Sequence, residues 1–348
     1  MSIIHQAPNI FVDDLGGADP SGNNLVWPID ASSRLYHTVT GTPPFSVEAE
    51  IARFVRGKVG QMIAFHVGGS GALEHNYTSP DGVVWTDRSA DLASPWNLSP
   101  GFTCQTLFYL RVAGLWFAKS VVGRDYFTSS DGITWVERTF PGSGSHTLNE
   151  DAYMTDGVHD FVLDDDVLWA TQDGISWASR GTQSSCQHVV YTPDISPRYW
   201  CLGGVNATNV RVRSSATGAV GTFSDNTASE TSLEATAINW NQVNSLAHSV
   251  SIGKTVFGRQ VTGTGTAAAL TAYTDDMVNW TETPAMARGF GMRYSATLGI
   301  FVNMSFNFAT AFIGKSSDGI NWTQTQYEVF PQNVNHFSAD LLSSYGSP

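Results

Sequence analysis

A short phrase, Ser/Thr-x-Asp-Gly-x-x-Trp, recurs along the chain and dictates how the rest must be organised. Its complete copies are Ser79-Pro80-Asp81-Gly82-Val83-Val84-Trp85, Ser129-Ser130-Asp131-Gly132-Ile133-Thr134-Trp135, Thr171-Gln172-Asp173-Gly174-Ile175-Ser176-Trp177 and Ser316-Ser317-Asp318-Gly319-Ile320-Asn321-Trp322. A further copy, Thr274-Asp275-Asp276-Met277-Val278-Asn279-Trp280, keeps the Asp-to-Trp interval without the glycine, and Ser215-Ala216-Thr217-Gly218-Ala219-Val220 is degenerate, with Phe223 displaced from the Trp position. With Thr217 as the fourth member, the steps are 50, 42, 44, 59 and 42 residues. A period in this range marks a repeat array.

Asp-Gly between β-rich runs is a hairpin signal, because glycine reaches positive φ without a Cβ clash. The Asp carboxylate and the Ser/Thr hydroxyl two residues earlier are placed to accept the backbone N–H groups that a chain reversal leaves without partners. Beyond the turn, Trp85 and Trp135 alternate with their neighbours, which puts the large ring on one face of a strand, against the adjoining sheet.

Upstream of each turn the same order recurs: an apolar run, a turn, a second apolar run, then the strand that enters Asp-Gly. In the second repeat these runs are Thr103 to Val112, Leu115 to Val121, Tyr126 to Ser129 and Ile133 to Phe140. In the last they are Gly291 to Ala296, Ile300 to Phe306, Phe312 to Ser316 and Ile320 to Thr325. No segment shows a helical period over a helix-forming length, Val47 to Val55 being the one ambiguous stretch. The chain therefore reads as all-β, a β-propeller of four-stranded blades that must stack to bury both faces of each sheet. The turn phrases count six blades. Asn333 to Leu342 resembles the inner strand of one more, which Asn9 to Asp13, Asn24 to Ile29 and Arg34 to Val39 could complete. Seven blades, closed by strands from both termini, is the favoured count, with six plus an N-terminal extension as the alternative. Residues 1–45 are then closing strands or a short attachment segment, and 46–348 form the propeller.

Composition narrows the functions. A net charge of −13, with only 18 Lys and Arg among 348 residues, argues against nucleic acid and anionic membrane surfaces as partners. The start, Met1-Ser2-Ile3-Ile4-His5-Gln6, lacks a basic and apolar signal pattern, and no run reaches membrane-spanning length, so no membrane insertion is expected. Cys104, Cys186 and Cys201 show no C-x-x-C spacing and read as buried small hydrophobes. The nine histidines form no metal-binding spacing, Asp164-Asp165-Asp166 reads as a solvated loop and not a calcium site, and Gly68-Gly69-Ser70-Gly71 is a turn without the lysine of a phosphate loop. Neither metal nor cofactor is expected.

The phrase resembles the Asp-box of sialidases and related propellers, although here glycine follows Asp directly, one residue early. That resemblance implies a structural turn remote from any catalytic centre, and no Arg-Ile-Pro phrase of a sialidase occurs. A sialidase also needs three arginines together; Arg53, Arg56, Arg111, Arg211, Arg213, Arg288 and Arg293 are candidates to meet in a ring, but the sequence does not place them together. Asp81, Gly82, Trp85, Asp131, Gly132, Trp135, Asp173, Gly174, Trp177, Asp276, Trp280, Asp318, Gly319 and Trp322 are accordingly assigned to structure, and no residue to catalysis.

Over roughly residues 50 to 326 the repeats, preceded by phrases such as Leu115-Trp116-Phe117-Ala118 and Gly299-Ile300-Phe301-Val302, look like those of propellers in bacteriophage tails and some bacterial surface proteins. This implies a non-enzymatic virion component assembled in the host cytoplasm, a tail-tip, fibre or receptor-binding part. Its expected partners are other tail proteins, further copies of itself in the particle, and a host surface glycan or protein. A glycan-cleaving hydrolase and a bacterial assembly or adhesion scaffold are the alternatives. Binding is expected on the long connections 87–102 and 223–241, which carry Trp96 and Trp240, on the face away from the Asp-Gly turns.

Overall fold

The computed structural model describes residues 53–56, 62–67, 73–79, 86–88, 104–120, 125–142, 152–204, 209–234, 243–259, 271–283, 290–295, 299–307 and 310–328. They form six four-stranded antiparallel sheets, each a simple meander of consecutive strands. The first holds β1 to β4 (Arg53–Arg56, Met62–Val67, Leu73–Ser79, Thr86–Asp87), the second β5 to β8 (Cys104–Leu110, Leu115–Ser120, Asp125–Ser129, Val136–Thr139). The third holds β9 to β12 (Tyr153–Thr155, Asp160–Asp164, Val167–Thr171, Ala178–Thr182), the fourth β13 to β16 (His188–Tyr191, Tyr199–Gly204, Val210–Ser215, Ser224–Asp225). The fifth holds β17 to β20 (Val243–Ser249, Lys254–Arg259, Thr271–Thr274, Thr281–Glu282), the sixth β21 to β24 (Phe290–Ser295, Ile300–Asn307, Thr310–Ser316, Thr323–Glu328).

The sheets stack through their first strands: β1 adjoins β5, β9 adjoins β13, β13 adjoins β17 and β17 adjoins β21. The core lies between successive sheets. Phe117, Tyr126 and Phe140 of the second sheet pack with Met154, Phe161 and Leu168 of the third and with Tyr199 and Cys201 of the fourth. Trp200, Leu202 and Val212 pack in turn with Leu246, Phe257 and Ala272 of the fifth, and Val256 of the fifth with Met292 and Phe301 of the sixth. From the second sheet to the sixth, each sheet covers the next, as blades must when neither face is complete alone. Cys186 and Cys201 are free thiols buried in this core, and burial pushes both thiol pKa values up, so they behave as the small hydrophobes expected.

Three sequence expectations need correction. The fourth strands begin at Val136 and Thr323, after the tryptophan, and not at Ile133 and Ile320, because the Asp side chain draws in the next two N–H groups and prolongs the bend. The connection after β16 contains a helix, α1 (Thr227–Glu234), where none was expected. Asn226 caps it, its Oδ1 accepting the Ser229 N–H at 3.1 Å, and Leu233 and Ser229 are fully buried. So short a helix of Thr, Ser and Glu gains its stability from docking between the fourth and fifth sheets. Finally, Asp164-Asp165-Asp166 is not a solvated loop throughout. Asp165 and Asp166 form the two-residue turn between β10 and β11 with φ of 48° and 63°, as a primed turn requires, whereas Asp164 is buried in an ion pair with Lys119 at 3.2 Å.

Asn9 to Asp13, Asn24 to Ile29, Arg34 to Val39 and Asn333 to Leu342, the segments expected to close the ring, lie outside the described residues.

Candidate functional site

Because strands alternate in direction within each meander, the turns between first and second and between third and fourth strands fall at one end of the sheets. The turn between second and third strands and the passage to the next sheet fall at the other. The turn phrases among the described residues therefore share one end, and they share an internal chemistry. Asp131 Oδ1 accepts the N–H groups of Ile133 and Thr134 at 2.8 and 2.7 Å, while Ser129 Oγ accepts that of Gly132 at 2.8 Å and donates to Asp131 Oδ1 at 2.9 Å. Thr171 and Asp173, Thr274 and Asp276, and Ser316 and Asp318 repeat this pattern. Even the degenerate copy keeps half of it, Ser215 Oγ accepting from Gly218 at 2.9 Å and Thr217 Oγ1 from Ala219 at 3.3 Å.

These bonds favour the charged carboxylate. The N–H groups of Ser176 and Ile175 hold Asp173 down to about 2. For Asp131, Asp276 and Asp318, burial acts upward, but the corresponding pair of N–H groups together with bonds from neighbouring side chains outweighs it, so each lies below its ordinary value.

The turns also lock neighbouring sheets together. Gly174, at φ +68°, lies where a Cβ would stand 3.1 Å from Leu110 and Leu115 of the second sheet, and Gly319, at φ +74°, where a Cβ would stand 2.7 Å from Val256 of the fifth. Trp177 packs against Phe117, Tyr126 and Phe140 with ring centroids 5.8, 6.2 and 5.0 Å away, and its Nε1 donates to the Tyr126 hydroxyl at 3.0 Å. Trp280 Nε1 donates to Ser229 Oγ of α1 at 3.1 Å.

Of the residues the sequence singled out, Asp131, Gly132, Trp135, Asp173, Gly174, Trp177, Asp276, Trp280, Asp318, Gly319 and Trp322 stand at these separate turns, one set per sheet, and are not gathered into a single pocket. Asp81, Gly82, Trp85, Trp96 and Trp240 lie outside the described residues. Among the arginines, Arg211 and Arg213 share Asp225, at 3.0 and 3.2 Å, and Arg213 also donates to the Phe223 carbonyl. Arg111 sits in the turn between β5 and β6, at the Asp-Gly end, while Arg211 enters β15 from the opposite end, so these three are not brought together.

Three polar links were not foreseen. Asp160, which opens β10, accepts the N–H groups of Arg111, Val112 and Ala113 at 3.0, 2.9 and 2.9 Å and the Tyr153 hydroxyl at 2.8 Å. Burial still leaves its carboxyl above the ordinary value, against the pull of those four bonds. Lys119 and Asp164 pair at the opposite end of the same two sheets. His248 of β17 meets Asp194 at 2.7 Å through Nε2 and Thr255 at 2.9 Å through Nδ1, with burial lowering its pKa against the raising effect of Asp194. Each joins residues one blade or one hairpin apart, and no local pattern marks them. Thr255, the third member of this link, is fully buried. Among the described residues, no group of three metal-binding side chains occurs, and no helix is long and apolar enough to cross a membrane.

No family model and no curated protein sequence matches the chain. Solved structures do resemble it. A streptogramin B lyase superposes with a TM-score of 0.53 at 11% identity, covering 82% of this chain and 86% of the lyase. Virginiamycin B lyase from Staphylococcus aureus gives 0.51 at 10% over 82% and 87%, and hydrazine synthase from Kuenenia stuttgartiensis 0.52 at 8% over 84% and 91%. Identity this low speaks of fold and not of reaction, and together with the six meanders it supports a β-propeller.

Proposed function

We propose that the chain is a non-enzymatic propeller that serves as a structural or receptor-binding part of a bacteriophage particle, with its ring closed as seven blades by strands from both termini. The observation that carries the reading is the use of the repeat's polar side chains on their own backbone, with Asp131, Asp173, Asp276 and Asp318 each accepting two successive N–H groups. A repeat spent in this way is scaffold, and a rigid scaffold leaves recognition to the connections that do not repeat. The likeness of the phrases to those of phage-tail propellers supports the particle assignment.

The connection after β16 is itself partly scaffold, since α1 is docked through Leu233, so its share of recognition falls on the exposed Thr227, Ala228 and Thr231. The test replaces residues 89–101 by a Gly/Ser connection and, separately, Thr227 and Thr231 by alanine, confirms an unchanged melting profile, and measures incorporation into particles and adsorption to host cells. The reading expects one of these variants to assemble poorly or to adsorb at a small fraction of the parent rate. Normal assembly and adsorption by both would overturn it. Truncation after Glu328 tests the closure: a ring completed by both termini loses its single cooperative melt, and a six-blade ring keeps it.

A further inference from the structure

From the second sheet to the sixth, one device recurs at the Asp-Gly end: a side chain of the later sheet reaches the turn between the first and second strands of the earlier one. Asp160 and Tyr153 of the third sheet hold the 111–113 turn of the second, Asp160 accepting its three N–H groups and the Tyr153 hydroxyl that of Arg111 at 3.1 Å. Tyr199 of the fourth donates to Asp156 Oδ2 of the third at 2.7 Å. His248 of the fifth meets Asp194 of the fourth at 2.7 Å, and Tyr294 of the sixth bonds Ser251 of the fifth. Three of these links rest on tyrosine, serine and aspartate side chains, none of which ordinarily titrates between about pH 5 and 8. The link between the fourth and fifth sheets rests on a histidine, which does. His159, 3.7 Å from Asp156, belongs to the same turn as that aspartate and bridges no junction.

The surroundings of His248 set the cost of charging it. Its side chain is 5% exposed and that of Asp194 28%. With Asp194 ionised, Nε2 carries the imidazole proton and donates it to Oδ1, which leaves Nδ1 to accept from the Thr255 hydroxyl at 2.9 Å. A second proton would sit on Nδ1 and turn it from acceptor to donor. Thr255 is fully buried, so its hydroxyl proton, displaced from Nδ1, would turn into the protein and not into water. Burial of the imidazole opposes the charge and Asp194 favours it; burial is the larger effect, and the His248 pKa is lowered.

β13, β18 and β21 pack against β17. At the His248 end, β13 and its turn bring Asp194, the exposed Arg198 and Tyr191, whose ring lies 5.0 Å from that of Tyr199. β18 brings Lys254, paired with Asp275, beside Asp276, which is engaged by its own turn. β21 carries Arg293 and Tyr294, the latter bonded to Ser251. His188 and Arg259 stand at the far ends of β13 and β18. We propose that the His248–Asp194 link is an acid-sensitive clasp: protonation of His248 favours release of the Asp-Gly end of the junction between the fourth and fifth sheets. Deeper in, Leu246 and Phe257 keep the two sheets stacked, so release is confined to the turn and the end of β17. A histidine whose folded pKa lies below its unfolded one stabilises fully above the unfolded value of about 6.5 and loses that contribution as pH falls from there through the folded value. The clasp needs no particular role for the chain and stands or falls separately from the phage reading.

The test uses the full chain, with isotope-labelled histidine for NMR titration. The His248 resonance, assigned by its loss in His248→Gln, is expected to titrate below the ordinary histidine value of about 6.5. The amides of Thr192 and Ile195, bonded to the Arg198 and Thr192 carbonyls, and those of 246–249 report the junction by hydrogen exchange. Corrected for the intrinsic effect of pH, their exchange is expected to quicken at least about threefold between about pH 7.5 and 5.5, and more than that of 111–113 at the junction without histidine. His248→Gln keeps a donor for Asp194 but takes up no proton, so this quickening is expected to vanish in it. Asp194→Asn, at a partly exposed site, keeps an acceptor for Nε2 without its charge, and the His248 titration is expected to move lower still. A His248 titration at or above the ordinary value, slower exchange at Thr192 and Ile195 on acidification, quickening that survives in His248→Gln, or a His248 titration unmoved by Asp194→Asn would overturn the proposal.

Discussion

The turns around Asp173 and Asp276 do the same work with different residues at their centres. Both carboxylates accept two successive N–H groups, at 2.8 and 2.7 Å in each case, and both hydroxyls, of Thr171 and Thr274, bond the N–H three residues on. At the centre, however, one has Gly174 at φ +68° and the other Met277 at φ +61°. Glycine at 174 fits because the second sheet presses close, and methionine at 277 is fully buried, filling space between the fourth and fifth sheets where α1 also docks. The side-chain caps therefore set the backbone shape, and the residue inside the turn is chosen by the room its neighbour leaves. A left-handed non-glycine residue costs about 1–2 kcal/mol, which the burial of Met277 more than offsets.

That comparison can be broken in several ways. The largest effect is expected at the tryptophans: Trp280→Ala, which removes a buried ring and its bond to Ser229, should destabilise the chain by about 3–5 kcal/mol in urea unfolding. Trp177→Ala, at a half-buried ring, should cost less. Equal losses would mean that the two rings are equally enclosed in solution.

Next comes Gly174→Ala, where positive φ and Cβ contacts at 3.1 Å act together; a loss of about 2–4 kcal/mol is expected. Met277→Gly relieves strain but empties a buried site, for a net loss of about 1–3 kcal/mol, measured the same way. A more stable Met277→Gly protein would show that the methionine is tolerated and not used.

The smallest effect is expected from pH. The folded-state pKa of Asp173 is held to about 2, below its ordinary value. Its stabilising contribution is therefore fully present above the unfolded value of about 4 and is lost as pH falls from there through about 2. Asp173→Asn should flatten part of the fall in melting temperature across that window and leave neutral-pH unfolding the less pH-sensitive of the two regimes. An unchanged acid profile would show that this carboxylate is not held by its turn.

Repeated local chemistry is what the sequence makes legible. Asp131, Ser129 and Gly132 lie within four residues of one another, so their bonds follow from spacing alone, and the four-strand order follows from the turn that ends each unit. The pairing of Lys119 with Asp164 was hidden, because its members belong to different sheets and only desolvation at their interface makes the pair matter. Helix α1 was hidden for a related reason: its eight residues carry little intrinsic helical preference, and the burial of Leu233 decides its state.

By itself, then, the sequence determined the repeat, the number of strands in each unit and the self-bonded turn, all of which depend on interactions between near neighbours in the chain. Only the tertiary structure decided which residues the sheets press together and which tryptophans are enclosed. Those outcomes depend on the space between units, and that space exists only once the units have packed.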